Sequence, residues 1–512
     1  MNRRLALFLS LMVLALIGAV SAAPAPAASP AVPEAGPNIG VEEFFDRIQC
    51  NTYDSQALVR FLPDNVPAWY ARWAIMDNAR SSIDTTYFIV EQDIFGHSML
   101  GMLLKKAREG VKIRIMLDAR GTKTLTRTFF GQDVMQELSK FPNVTIKTFN
   151  PVSANLLQAF ADIRNIMASN HDKILLVDDE YVITGGRNIS KNYFVDPRDL
   201  PTVYRDTDVL IKSKVVAKQT KQAFDEEFAQ HSNFKFSGDL FGNWKDMHRE
   251  LDLAYHCMRR YLLGQGLYRV DPAKFSKDLV AIVEKYNKEL SQYKHLPGYA
   301  AFRLFEGQRP MAARLLDKHS KKGFRNDITW NLISFFNTAR SEILIQNPYV
   351  VLTPEMEAAI KRANRRGVKI VIQTNSPMST DSLLTQAMFI GDWKKILADN
   401  PGLRIFGYKL TNKLHSKVFV FDRKVAVIGT YNMDYISEQV NSEQVAVIKS
   451  PAFATQVAKK IEQDIANSHE YKVKVEPDGT IKTVFGPETH SDPKVMSRLQ
   501  MLLKLGWLRP LI

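Results

Sequence analysis

Apolar residues along the chain switch between two periods, and the succession occurs twice. Ala68 to Ala79 repeats apolar residues at helical spacing, Ile83 to Val90 alternates as a strand, Ser98 to Arg108 returns to the helical period and Val111 to Leu117 to the strand period. The same order reappears over Trp330 to Thr338, Ser341 to Gln346, Pro354 to Arg365 and Gly367 to Ile372. Gly110-Val111-Lys112-Ile113 and Gly367-Val368-Lys369-Ile370 match letter for letter, each glycine closing a basic helix. Alternating helices and strands predict an α/β layered domain, and the repetition predicts a tandem duplication. Each unit reads helix, strand, helix, strand, variable loop and then a strand opened by histidine.

That last strand carries the chemistry. His171-Asp172-Lys173-Ile174-Leu175-Leu176-Val177-Asp178 and His415-Ser416-Lys417-Val418-Phe419-Val420-Phe421-Asp422 share a His, a Lys two residues on and an Asp five further, with apolar residues between Lys and Asp. Both continue alike, through Tyr181-Val182-Ile183-Thr184 to Gly185-Gly186-Arg187-Asn188 and through Val425-Ala426-Val427-Ile428 to Gly429-Thr430-Tyr431-Asn432. Strand alternation sets His171 beside Lys173 and His415 beside Lys417 on one face. Asp178 and Asp422 fall at hairpin turns, where an aspartate bonds nearby backbone, so they read as structural supports together with Gly186 and Gly429. A single match of this kind arises by accident; two, each with the same sequel, do not.

The doubled motif resembles the phospholipase D superfamily, with both of its HKD motifs complete. The resemblance implies two tandem phospholipase D-like α-β-α sandwich domains with the active site at their interface, formed within one chain. It implies His171 as nucleophile and His415 as acid/base, although the residues alone leave the two interchangeable. Lys173, Lys417, Asn188 and Asn432 would neutralise the phosphoryl oxygens, so no metal and no cofactor are expected. Asp206, in Arg205-Asp206-Thr207, and Glu443, in Asn441-Ser442-Glu443, each precede an apolar strand. By the same resemblance Glu443 would hold His415 and Asp206 would hold His171, with Asp208 competing for the second role. Gly185-Gly186-Arg187-Asn188-Ile189, Asn192-Tyr193-Phe194, Asn375-Ser376, Thr380-Asp381 and the Leu/Trp-rich tail resemble the bacterial cardiolipin synthase group. That likeness implies a phosphatidyl transferase acting on glycerophospholipids through a phosphohistidine. A phospholipase D that hydrolyses phospholipid to phosphatidic acid is the close alternative, and an exported endonuclease a more distant one.

Charge and length refine the organisation. The chain has 512 residues, a formal net charge of +14 and 45% hydrophobic residues, enough for more than one folded domain with a preference for anionic partners. An anionic membrane surface fits that charge; nucleic acid is not expected. Arg3 and Arg4 precede the apolar run Leu5 to Val20, and Val20-Ser21-Ala22 supplies small residues for cleavage, so 1–22 reads as a signal peptide. An uncleaved anchor is the alternative. In either case the rest of the chain is expected across a membrane, periplasmic or at the cell envelope. An Ala/Pro-rich tether occupies 23–40, then a first domain 41–232, a mostly helical linker 233–322 and a second domain 323–470. The tail, 471–512, interleaves Leu, Met and Trp with Lys and Arg, as an amphipathic membrane-interface helix does; a helix docked on the protein's own core has the same pattern. In the linker, Lys318-His319-Ser320-Lys321-Lys322 reads as a solvated basic run. Cys50 and Cys257 show no metal spacing, so zinc is not expected, and they read either as one disulfide or as two unpaired thiols.

Overall fold

The structure, a computed structural model, describes residues 38–118, 121, 135–149, 168–230, 232–233, 247–320 and 325–512. The leader expected over 1–22 and most of the 23–40 tether lie outside them. In the first repeat the strands are β1 (Asp54–Leu62), β2 (Ser82–Tyr87), β3 (Lys112–Asp118), β4 (Val144–Phe149), β5 (Ile174–Val177), β6 (Tyr181–Gly185), β7 (Asp208–Lys212) and the short β8 (Ser232–Asn233). β2, β3 and β4 run parallel, and β5, β6, β7 and β1 extend the sheet antiparallel from β2. The second repeat copies this with β9 (Pro310–Lys318), β10 (Glu342–Gln346), β11 (Lys369–Asn375), β12 (Arg404–Tyr408), β13 (Val418–Phe421), β14 (Val425–Gly429) and β15 (Glu443–Lys449). Here β10, β11 and β12 are parallel, and β13, β14, β15 and β9 continue antiparallel from β10. β1 pairs with β9, so the two sheets join edge to edge. A C-terminal hairpin, β16 (Ser468–Val475) and β17 (Ile481–Phe485), caps the far edge through β12.

Alternation along the strands builds three layers. Leu175 and Val177 of β5 face the outer core of the first repeat, under the helices Asn65–Asp77 and Ile94–Arg108, while Ile174 and Leu176 point the other way. Phe419 and Phe421 of β13 face the corresponding core of the second repeat, and Val418 and Val420 point inward. The inward sets merge. Ile174, Leu176, Val418 and Val420 belong to one buried cluster with Val216 and Ala217 of the helix Lys214–Gln230 and Val457 and Ile461 of the helix Pro451–Ile465. Each sheet thus has helices on both faces, and the two repeats share a single inner core, which fixes them against each other.

The structure corrects some expectations and decides between alternatives in others. The variable loops hold further parallel strands, β4 and β12, whose short runs Val144–Phe149 and Arg404–Tyr408 carry Lys, Thr or Arg and so lack a continuous apolar signal. The linker contains the helices Met247–Leu262 and Lys277–Leu290 but ends in β9, a strand at the centre of the sheet. Lys318, read as part of a solvated run, is instead 3% exposed, and its ammonium bonds the Asn441 carbonyl. The tail helix Pro493–Leu503 lays Met496 and Leu499 on Ala387 of the helix Leu383–Asp399, and Arg509 makes a two-pronged ion pair with Asp392 at 2.6 and 2.9 Å. Its apolar stripe is therefore spent on the protein, leaving Met501 and Trp507 outward at 62% and 40% exposure. Cys50 and Cys257 are unpaired. Among the described residues no helix is long and apolar enough to cross a membrane.

The turn aspartates act as the motif suggests. Asp178 and Asp422 sit at φ of 55° and 52°, and each accepts main-chain N–H groups from the start of the neighbouring parallel strand: Arg80, Ser81 and Ser82 in one repeat, Arg340, Ser341 and Glu342 in the other. Asp422→Ala loses these bonds and places a β-carbon residue without a polar side chain in left-handed backbone. It should cost about 1–3 kcal/mol in urea unfolding; an unchanged midpoint would show that the turn does not need the carboxylate.

Candidate active site

β5 runs antiparallel to β2, with Ile174 opposite Thr86, so His171 and Lys173 stand just beyond the C-terminal end of a parallel strand. Val418 opposite Gln346 places His415 and Lys417 the same way at the end of β10. This is the end at which α/β sheets bind ligands, because connecting loops leave a crevice there. Asn188 and Asn432 come after β6 and β14 at the same edge. The Asn188 oxygen accepts from Ile89 N at 3.0 Å and its amide donates to the Tyr193 hydroxyl at 3.2 Å, leaving one N–H. Asn432 is buried, and its oxygen has no partner among the described residues.

The two repeats meet at their motifs through crossed backbone contacts. Arg205 N donates to Lys413 O at 2.8 Å, and His415 N donates to Arg205 O at 2.9 Å. On the other side Ser442 N donates to Ser169 O at 3.1 Å. Consequently the stretch carrying Asp206 lies along the one carrying His415, and the stretch carrying Glu443 along the one carrying His171. His415 Nδ1 is 2.7 Å from Asp206 Oδ2, and His171 Nδ1 is 3.0 Å from both Glu443 oxygens. The expected pairing of Glu443 with His415 and of Asp206 with His171 is therefore reversed. Each imidazole is held by a carboxylate from the opposite repeat, because an acid leading a strand at the inter-repeat seam reaches across more readily than back past the intervening strand, β6 or β14, of its own sheet. Asp208 does not compete, since it pairs with Arg72 at 2.9 Å and Arg187 at 3.1 Å. Arg187 also donates to the Asp206 carbonyl at 2.7 Å.

The glycines make room for this. A β-carbon on Gly186 would stand 2.1 Å from Asp206 Oδ1, and one on Gly429 would stand 2.3 Å from Gln444 O. With Nδ1 of each ring facing a carboxylate, Nε2 of each is left for a substrate.

Charge in the cleft is unbalanced. Burial first, then the neighbouring Lys417, pulls the Lys173 ammonium down to about 7, and burial pulls Lys417 down to about 8. His171 is held well below the usual imidazole value by burial and by both lysines, and His415 below it by burial and Lys417. Asp206 stays below the ordinary carboxylate range: burial opposes ionisation, but His415, Lys417 and Arg187 outweigh it. Glu443 behaves oppositely, pushed up to about 7 by burial. The His171 side also holds carboxyls that the motif does not single out. Asp172, raised by burial and Glu443, lies with the buried Glu227, whose Oε2 accepts from Asn170 at 2.7 Å, and with Asp317, also raised. The corresponding position in the second motif is Ser416, which donates to Thr207 at 2.7 Å. The difference was readable as His-Asp-Lys against His-Ser-Lys. Aromatic neighbours differ too: Phe88 stands 5.5 Å from the His171 ring, and Tyr193 and Tyr204 stand 5.6 and 5.4 Å from the His415 ring.

This geometry agrees with comparisons to known proteins. A family model described as "Cardiolipin synthase, PLD-like domain" matches residues 73–228 and 332–465, together more than half of the chain and one match per repeat. The chain belongs to this phospholipase D-like family. It is 25% identical to cardiolipin synthase C of Escherichia coli over 90% of this chain and 98% of that one, and 25% identical to cardiolipin synthase 1 of Bacillus anthracis over 78% and 64%. The fold is shared with the crystal structure of phosphatidylserine synthase from Haemophilus influenzae, at a TM-score of 0.59 and 12% identity, covering 92% of this chain and all of that one.

The crossed pairing predicts the pattern of coupling. In double-mutant cycles on turnover, Asp206→Asn with His415→Gln and Glu443→Gln with His171→Gln should each show about 1–3 kcal/mol of interaction. Asp206 with His171 and Glu443 with His415 should be nearly additive. Coupling confined to the same-repeat pairs would refute the exchange.

Proposed function

We propose that the chain is a phosphatidyl transferase acting on glycerophospholipids, with His171 as nucleophile and His415 as general acid and base. The observation that carries this reading is the meeting of two imidazoles and two ammonium groups, from separate repeats, in one buried cleft. Such a cleft is electrostatically incomplete without an anion, and a phosphodiester supplies that anion between two nitrogen bases.

His171 Nε2, neutral because Lys173 and Lys417 disfavour its protonation, forms a bond to phosphorus as the headgroup alkoxide departs with a proton from His415. The phosphatidyl group then rests on His171. An acceptor hydroxyl gives its proton to His415, forms the new P–O bond and releases His171. Asp206, ionised, suits a partner that must become imidazolium. Glu443, made harder to ionise by its burial, suits a ring that stays neutral. The similarity to cardiolipin synthases supports a lipid or glycerol hydroxyl as acceptor; water in that place gives phosphatidic acid. Lys173, Lys417 and the amides of Asn188 and Asn432 would carry the phosphoryl charge. Exposed Met501 and Trp507, flanked by Lys494, Arg498 and Lys504, support docking at an anionic membrane surface, and the leader over 1–22 supports a site of action outside the cytoplasm.

Purified protein incubated with labelled phosphatidylglycerol should yield cardiolipin on lipid chromatography, in excess EDTA as well as without it. His171→Ala or His415→Ala should remove more than about 99% of it. Phosphatidic acid alone would make the enzyme a hydrolase, and no lipid product would end the proposal.

Loss of the His415 proton, itself held low by burial and Lys417, gives one alkaline limb, and the lysines give another. In the free enzyme the Lys173 ammonium is already being lost near pH 7, so kcat/KM should fall as pH rises through that region. A bound phosphodiester restores the proton, so the alkaline limb of kcat should lie at higher pH. Coincident limbs would show that Lys173 does not meet the substrate's charge.

A further inference from the structure

The two sides of the cleft offer different chemistry to whatever leaves and enters. Beside His171 stands a phenyl ring, Phe88, without a polar atom. Beside His415 stand phenols. Tyr193 and Tyr204 are stacked at 4.5 Å and 4°, both edge-on to the His415 ring. Asp381 joins them: the Tyr349 hydroxyl donates to its Oδ1 at 2.8 Å, and its carboxylate acts on Tyr193, Tyr204, His415 and Lys417.

Tyr349 is specific to this side. Val90 bridges to Ile189 and Val350 to Met433, so the residues immediately before those valines, Ile89 and Tyr349, occupy equivalent places. The duplication has an apolar side chain in one copy and a phenol in the other. Asp381 is exposed, and the cationic groups of the motifs on which it acts, Lys417 and His415, are engaged by the motif backbone and by Asp206. One of its oxygens is bonded by Tyr349, and the carboxylate retains further lone pairs to accept from a substrate. An exposed carboxylate beside a phenol hydroxyl has the composition of a polyol-binding surface: the acid accepts from one hydroxyl of the ligand, and the phenol oxygen can accept from its neighbour.

We propose that Asp381, oriented by Tyr349, selects the alcohol at the His415 side of the cleft, favouring a headgroup or acceptor with vicinal hydroxyls, such as glycerol or a glycerol-headed lipid, over a simple alcohol or water. This rests on the transferase reading and deepens it. The leaving and entering alcohols pass the same acid/base, so one diol-binding surface serves both half-reactions. Asp381 and Tyr349 are specificity-determining rather than catalytic, since neither is needed to form or break the bond to phosphorus.

The test offers unlabelled phosphatidylglycerol with labelled glycerol or labelled 1-propanol and reads label in the lipid for the wild type, Asp381→Asn and Tyr349→Phe, with folding checked by circular dichroism. The wild type should favour glycerol. In both variants the glycerol-to-propanol ratio of kcat/KM should fall, by about tenfold for Asp381→Asn, the worth of a hydrogen bond to a charged group. A ratio that stays within about twofold while both products form would overturn the proposal. So would equal loss of both products with a shifted pH profile, because Asp381 would then act only through the charge on His415. A wild type that labels lipid from neither alcohol would instead refute the transferase reading, and the proposal with it.

Discussion

Burial of like-charged groups close together sets the terms for this structure. Lys173 and Lys417 each depress their own protonation by being buried, and both oppose a proton on His171. Left to itself such a cluster would open to solvent. What retains it is the crossing of Asp206 and Glu443 to the histidines of the opposite repeats, secured by the backbone bonds between Arg205 and His415 and between Ser169 and Ser442. The cluster of buried imidazoles and lysines and the contact between repeats are therefore one interaction. Pulling the repeats apart would cost both imidazoles their partners, and removing the carboxylates would leave cations facing each other across the seam.

The rest of the architecture serves that juxtaposition. Edge pairing of β1 with β9 and the common inner core of Ile174, Leu176, Val418 and Val420 lock the sheets with their ligand-binding ends adjacent. The aspartates at the hairpin turns tie β5 and β13 to the starts of β2 and β10, at the ends of the strands away from the histidines. Register matters because a slip of one residue would turn His171 and Lys173 out of the cleft.

Much of this was legible because it is local. The periods of Pro354 to Arg365, the capping glycines at 110 and 367 with φ of +85° and +83°, and the doubled His-Lys-Asp motif depend on neighbours in the chain, and the structure realises each. Partnership across the seam was not legible. Asp206 and Glu443 were identified as the carboxylates, but their assignment to histidines depended on which strand ends abut, a property of the packed pair of repeats. The burial of Lys318 was equally hidden, since its basic neighbours 319–322 look solvated while β9 draws the residue into the centre of the sheet. The tail posed the same problem: an apolar stripe on a basic helix states that something covers it, not whether a bilayer or the helix Leu383–Asp399 does so.

Duplication explains why the site is built from equivalent parts, and divergence explains why its two halves are not alike. A symmetric cleft would leave its two imidazoles with the same task. Here the residue between His and Lys is Asp172 in one copy, where burial pushes Glu443 up to about 7, and Ser416 in the other, where Asp206 stays low beside His415, Lys417 and Arg187. The ring backed by an ionised acid can accept and return a proton; the ring backed by a reluctant one keeps its lone pair for phosphorus. The aromatic lining divides in the same sense, with Phe88 beside His171 and phenols beside His415. A handful of differences away from the shared His, Lys and Asp positions thus makes two copies of one half-site unlike.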